Sequence, residues 1–134
     1  MVLVDTSVWI DVFRRPARLR LEDLVDFDDV VTCLPVIQEV LQGFDDERAH
    51  AVARDAKLAM PVVESPLRLE TFERAVQLYR TARRAGVTVR SGVDCLIAAC
   101  ALANGLTVLH CDRDFDAIAR VSSLDARNVA TRFK

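Results

Sequence analysis

The chain has 134 residues, 51% of them hydrophobic and 28% charged, with a formal net charge of −2. That length suits one domain spanning residues 1–134 around one core, and the balance excludes a disordered or fibrous chain. The near-neutral charge gives no global field for a polyanion, although every basic residue except Lys57 and Lys134 is an arginine, the better fork for phosphate and carboxylate.

The first element is a strand, "VLV" at 2–4, and "SVWIDVF" follows as a helix with Val8, Trp9, Val12 and Phe13 on one face. "RRPARLRLEDLVDF" carries a second amphipathic piece around Leu21, Leu24 and Val25, and "DDVVTCL" reads as a strand. Pro35 suits the first turn of the helix "PVIQEVLQG", which stops at Gly43. "DDERAHAVARDAKLA" is a polar-faced helix, and "MPVVE" is a short strand between prolines.

The longest helix is "LRLETFERAVQLYRTARRAG", with a predicted stripe of Phe72, Ala75, Val76, Tyr79 and Ala82 and a stop at Gly86. "SGVDCLIAACALANG" is apolar nearly all round and therefore a buried helix. "LTVLH" is a strand, "RDFDAIARV" a helix and "RNVAT" a final strand. Its run "CLIAACALA" falls far short of the ~18 apolar residues of a membrane span, so a soluble protein is expected. The four cysteines form no CxxC pair and no zinc spacing, and the N-terminus lacks a signal peptide, which together predict a reducing cytoplasm.

Short apolar strands alternating with helices predict a mostly parallel sheet with helices on both faces. In such folds ligands bind outside the carboxyl ends of the strands. Asp5 directly follows the first strand, Asp112 follows "TVLH" by two residues, and Asp94 opens the buried helix three residues after Ser91. Taken singly each would serve as a helix cap, Ser91 and Asp94 by the S-x-x-D pattern. Together, three carboxylates on one sheet edge would crowd like charges and raise at least one pKa. A hard divalent cation relieves that crowding, so the cluster predicts a metal site.

Other phosphate chemistries fit less well. Ser7 stands where a second aspartate would make a dehalogenase-like phosphatase, and no late-strand lysine, phosphate loop, dinucleotide loop or GxSxG elbow is present.

"VLVDTSVWID", "PVIQEVLQG", "SGVDCLIAACAL" and "VLHCDRDFDAIA", in that order over nearly the whole chain, resemble the motifs of PIN-domain ribonucleases, and among them the VapC toxins of bacterial toxin–antitoxin pairs. The resemblance implies a PIN-like three-layer α/β sandwich and endoribonuclease activity on tRNA or rRNA, through attack on the phosphodiester by water activated by Mg²⁺, with Mn²⁺ as a substitute. It assigns Asp5, Glu39, Asp94 and Asp112 as the four catalytic and metal-binding acids, with Asp114 as a further direct or water-mediated ligand. Thr6 and Ser7 match the supporting hydroxyls. It also implies a homodimer and a cognate VapB-type antitoxin, with no role for a membrane.

Arginines around the site are candidates for RNA phosphates: Arg14, Arg15, Arg18 and Arg20 after the first helix, and Arg80, Arg83, Arg84 and Arg90 near the end of the longest one, with Arg90 the leading candidate. A PIN-like module that binds RNA or protein without cleaving is the competing function, and the complete set of acids argues against it.

Overall fold

A computed structural model describes residues 1–13, 16–17 and 19–130. Five strands form one all-parallel sheet: β1 (Val2–Val4), β2 (Val30–Cys33), β3 (Val62–Val63), β4 (Thr107–His110) and β5 (Ala126–Asn128). Parallel strands require crossovers, and helices supply them: α1 (Thr6–Phe13), α2 (Leu34–Gln42), α3 (Glu47–Leu58), α4 (Leu69–Arg84), α5 (Gly92–Ala103) and α6 (Arg113–Arg120).

The strand order is β3-β2-β1-β4-β5. The chain therefore winds outward in one direction through β2 and β3, then returns to the other side of β1 for β4 and β5. The reversal falls between β1 and β4, where Val2, Leu3 and Val4 pair with Thr107, Val108 and Leu109. A crevice opens at the carboxyl end of such a switch point. Strand burial explains the unbroken apolar runs: Leu3, Val4, Val108 and Leu109 have no exposed surface, and each contributes ~1.5–3 kcal/mol on leaving water.

Most predicted elements lie where the periodicity puts them. Pro35 occupies the first turn of α2, and Gly86 follows α4 with φ of 71°, a conformation that favours glycine. The piece around Leu21 differs, for it is a single 3₁₀ turn (Leu21–Asp23) with Leu21 buried rather than an amphipathic helix. The final strand is also displaced, ending at Asn128, and part of "RNVAT" lies outside the described residues.

The stripe on α4 is corrected in part, Ala75 and Ala82 being buried as expected. Thr71, Ala75, Leu78 and Ala82 face the core, whereas Phe72, Val76 and Tyr79 are exposed. Two apolar stripes lie one residue apart on this helix, and the core takes the one that carries Leu78. Helix α3 holds a second surprise. Lys57, on the helix read as polar-faced, is almost wholly buried, and its ammonium lies 2.7 Å from the centre of the Trp9 ring, which in turn stacks on Phe13.

Among the described residues no helix is long and apolar enough to cross a membrane.

Candidate metal centre

Four elements deliver acids to the β1/β4 crevice. Asp5 leaves the end of β1 and is buried, its backbone N–H bonded to the carbonyl of Leu109 on β4 at 2.9 Å. Its Oδ2 accepts from the Ser7 hydroxyl at 2.6 Å and from the Ser7 amide at 3.1 Å, which leaves Oδ1 buried without a partner. The Ser7 hydroxyl in turn accepts from the Cys111 amide at 2.9 Å. One small side chain thus ties the end of β1 to the loop after β4.

Glu39 is half-buried on α2, which starts at the carboxyl end of β2. The Thr6 hydroxyl donates to its Oε1 at 2.9 Å, and its charge is felt at Asp5. The two hydroxyls after Asp5 therefore divide the work, Ser7 orienting Asp5 and Thr6 holding Glu39.

Asp94 sits in the first turn of α5 and is buried. The S-x-x-D capping expectation fails: Ser91 makes no side-chain cap bond, and Asp94 Oδ2 is buried with no partner. Asp112, by contrast, does cap α6, its Oδ1 accepting from the Asp114 amide at 2.9 Å. Asp94, Asp112 and Asp114 each offer a carboxylate oxygen within 4.8 Å of the others.

Crowding appears in the acidities. Burial first, then the negative charges of Asp5, Asp112 and Asp114, push the Asp94 carboxyl up to about 8. Burial also raises Asp5, against the two Ser7 hydrogen bonds that lower it. Such shifts mark a place where negative charge is held at a cost and a cation would be welcome. The donor set is all oxygen, and two buried oxygens lack partners. That suits a hard divalent ion such as Mg²⁺ or Mn²⁺ better than zinc.

Behind the acids, His110 is fully buried, and its Nδ1 accepts from the Asp112 amide at 3.2 Å. With Nδ1 an acceptor and burial lowering its basicity, the ring is neutral and carries its proton on Nε2, 3.6 Å from Asp116. His110 is thus a strand-end residue with a structural bond, as its position suggests. Arg90, the leading candidate for an RNA phosphate, reaches the acids themselves, with Nε 3.3 Å from Asp114 and Nη2 3.5 Å from Asp112.

The chain matches the PIN domain model over residues 2–121. It is 37% identical over 131 residues to ribonuclease VapC11 of Mycobacterium tuberculosis, covering 94% of this chain and 97% of that one. The protein belongs to the PIN-domain family, in its VapC branch.

Solved VapC structures share the fold at lower identity. VapBC2 from Rickettsia felis, bound to a DNA fragment from its promoter, superposes with a TM-score of 0.75 at 15% identity over 96% of this chain and 98% of that one. Mycobacterium tuberculosis VapC20, a toxin that cleaves the sarcin–ricin loop, gives 0.70 at 22% identity over 93% and 99%.

Of the motif acids, Asp94 and Asp112 come within ligating distance of each other together with Asp114. Asp5 is near enough for its charge to be felt at Asp94, and Glu39 is near enough for its charge to be felt at Asp5; Thr6 bonds Glu39 and Ser7 bonds Asp5. Arg80 and Arg83 line a groove between α4 and α5 of about 810 Å³ that ends at Arg90, while Arg84 is exposed at the end of α4. Arg14, Arg15 and Arg18 lie outside the described residues. Sequence reasoning passed over Arg113 and Arg120, which line a second cleft of about 360 Å³ with Arg90 and Asp114. Their spacing of seven puts both on one face of α6, which was the available signal.

Proposed function

We propose that this PIN domain is a Mg²⁺-dependent endoribonuclease of VapC type, a cytoplasmic toxin that cuts tRNA or rRNA. The observation that carries the reading is the pair of buried, partnerless oxygens on Asp5 and Asp94, within a crevice that also takes in Asp112 and Glu39. Asp5, Asp94 and Asp112 would hold the ion, with Glu39 beside Asp5. A divalent cation there supplies the positive charge that attack of water on a phosphodiester requires.

The chain's own groups do the rest. Ser7 occupies one Asp5 oxygen and leaves the other without a protein partner. Thr6 keeps Glu39 from swinging out to solvent. His110 braces the turn that presents Asp112. Arg90, Arg113 and Arg120, at the mouth of the acid site, offset its repulsion of an RNA strand.

Two protein partners complete the proposal. The relatives with solved VapBC complexes support a VapB-type antitoxin. An apolar recess of about 250 Å³ between α1 and α2, lined by Ile10, Phe13, Val40, Gly43 and Phe44, fits a helical segment of it. The exposed apolar stripe of α4, with Phe72, Val76 and Tyr79, supports a homodimer.

The test is cleavage of tRNA and rRNA with Mg²⁺ or EDTA, together with 5′-end mapping of cellular RNA after induction of wild type and Asp5→Asn. Expected are Mg²⁺-dependent cuts with 5′-phosphate and 3′-hydroxyl ends that vanish in the variant. Cuts that persist in EDTA, or 2′,3′-cyclic phosphate ends, overturn the reading.

A further inference from the structure

Arg90 ends the segment that enters α5, pinned by the buried Val89 before it. Its contacts divide unequally between two acids. Asp114 is almost fully buried and gives both its oxygens to this one residue: Oδ2 accepts from the Arg90 amide at 3.1 Å, Oδ1 from Nε at 3.3 Å. Asp112 is more exposed, and its Oδ1, already bonded to the Asp114 amide, meets Arg90 Nη2 only at a long 3.5 Å. The Arg90 side chain is 56% exposed, and the residue lines both the α4–α5 groove and the arginine-rich cleft beside α6. It is therefore anchored firmly on one acid, loosely on the next, and open to whatever enters from solvent.

A divalent ion attracted to Asp94 and Asp112 meets a fixed positive charge leaning on the same carboxylate. Two cations that draw on one anion compete, and the looser contact is the one surrendered. We propose that Arg90 is a resident counter-cation of the acid site, docked on Asp114 and competing with the divalent metal for Asp112, so that metal entry turns its guanidinium toward an RNA phosphate. Asp114 on this account holds the arginine rather than the metal. The inference rests on the metal-site reading above and deepens it, since it makes metal loading and RNA capture mutually reinforcing.

The test is calorimetric titration of the folded, full-length protein with Mn²⁺ alone, comparing wild type, Arg90→Met, Arg90→Lys and Asp94→Asn at fixed pH and ionic strength. Arg90→Met is expected to bind Mn²⁺ about 5- to 10-fold more tightly, at the low end for coupled sites because the arginine side chain is half exposed. Arg90→Lys keeps the charge without the fork and should fall between. The Arg90 backbone bond to Asp114 survives in both variants, which protects the local fold.

Unchanged or weaker Mn²⁺ binding in Arg90→Met overturns the competition and makes Arg90 a support for Asp112. If Asp94→Asn binds Mn²⁺ as wild type does, the metal-site reading itself fails, a separate outcome. The second readout is the salt dependence of RNA binding at saturating Ca²⁺. The slope of log K against log salt should shrink by about 0.7 in Arg90→Met, one phosphate contact on a single strand. An unchanged slope overturns the handover to RNA.

Discussion

Asp94→Asn should stabilise the metal-depleted protein at alkaline pH and destabilise the metal-loaded one. The Asp94 carboxyl is raised from 3.8 to about 8, mainly by burial and then by its acidic neighbours. The folded chain thus keeps a proton that the unfolded chain releases, so stability falls as pH rises from about 4 to about 8 and the full penalty stands above that. About four pKa units at ~1.4 kcal/mol each set a ceiling near 6 kcal/mol. Coupling among the acids and water at the crevice mouth discount it to ~2 kcal/mol. The substitution also forfeits ~0.3–1 kcal/mol from a negative charge in the first turn of α5. The net gain is ~1 kcal/mol in EDTA at pH 8.5, or roughly 4 °C in Tm for a domain of this size, and it should disappear at pH 4. With Mn²⁺ at about 100 times its Kd, wild type gains ~2.7 kcal/mol that the variant largely lacks, and the order inverts. Urea and thermal melts across pH, with and without metal, check both halves. A variant less stable than wild type in EDTA at pH 8.5, or a gap that does not change between pH 4 and 8.5, refutes the crowding account.

Four further outcomes are expected. Thr6→Val removes the bond that holds Glu39 and should weaken Mn²⁺ binding about 10-fold or more, read by calorimetry. Ser7→Ala strands the Cys111 amide and frees Asp5, at a cost of ~1–3 kcal/mol in urea melts. Burial lowers the Lys57 pKa to about 7, so the folded chain binds fewer protons than the unfolded one between about 7 and 10.5 and its stability rises with pH there. Lys57→Met should therefore stabilise most below pH 7, with the advantage fading toward pH 10; a gain that grows with pH contradicts this. Val76→Asp on the exposed face of α4 should convert a dimer to a monomer in light scattering, with the far-ultraviolet dichroism unchanged.

Much of the fold is legible locally. A strand such as "VLV", buried on both faces, needs no polar alternation. Pro35 at a helix start and Gly86 at a helix end act through their own backbone angles. The expected α4 stripe mixes two faces, because Thr71–Ala75–Leu78–Ala82 and Phe72–Val76–Tyr79 are both spaced as helical faces. Periodicity cannot choose between two such faces, and only the placement of the neighbouring elements decides which is buried. The burial of Lys57 is illegible in the sequence for a related reason. Its long apolar stem reads as surface in sequence, and only the placement of Trp9 beneath α3 gives its ammonium an aromatic face.

The site divides along the same line. The sequence alone determines that Asp5 and Asp112 follow strands and that Asp94 opens a helix, because those positions depend on a few neighbouring residues. It also carries, through its ordered motifs, the family and Glu39. The tertiary structure decided that Asp94 does not cap, that Thr6 rather than solvent holds Glu39, that Ser7 bonds Cys111, 104 positions along the chain, and that Arg90 leans on Asp112 and Asp114. These contacts exist because the sheet runs β3-β2-β1-β4-β5, which sets the end of β1 beside the end of β4. Strand order is a long-range choice made by the whole core, and no window of the chain contains it.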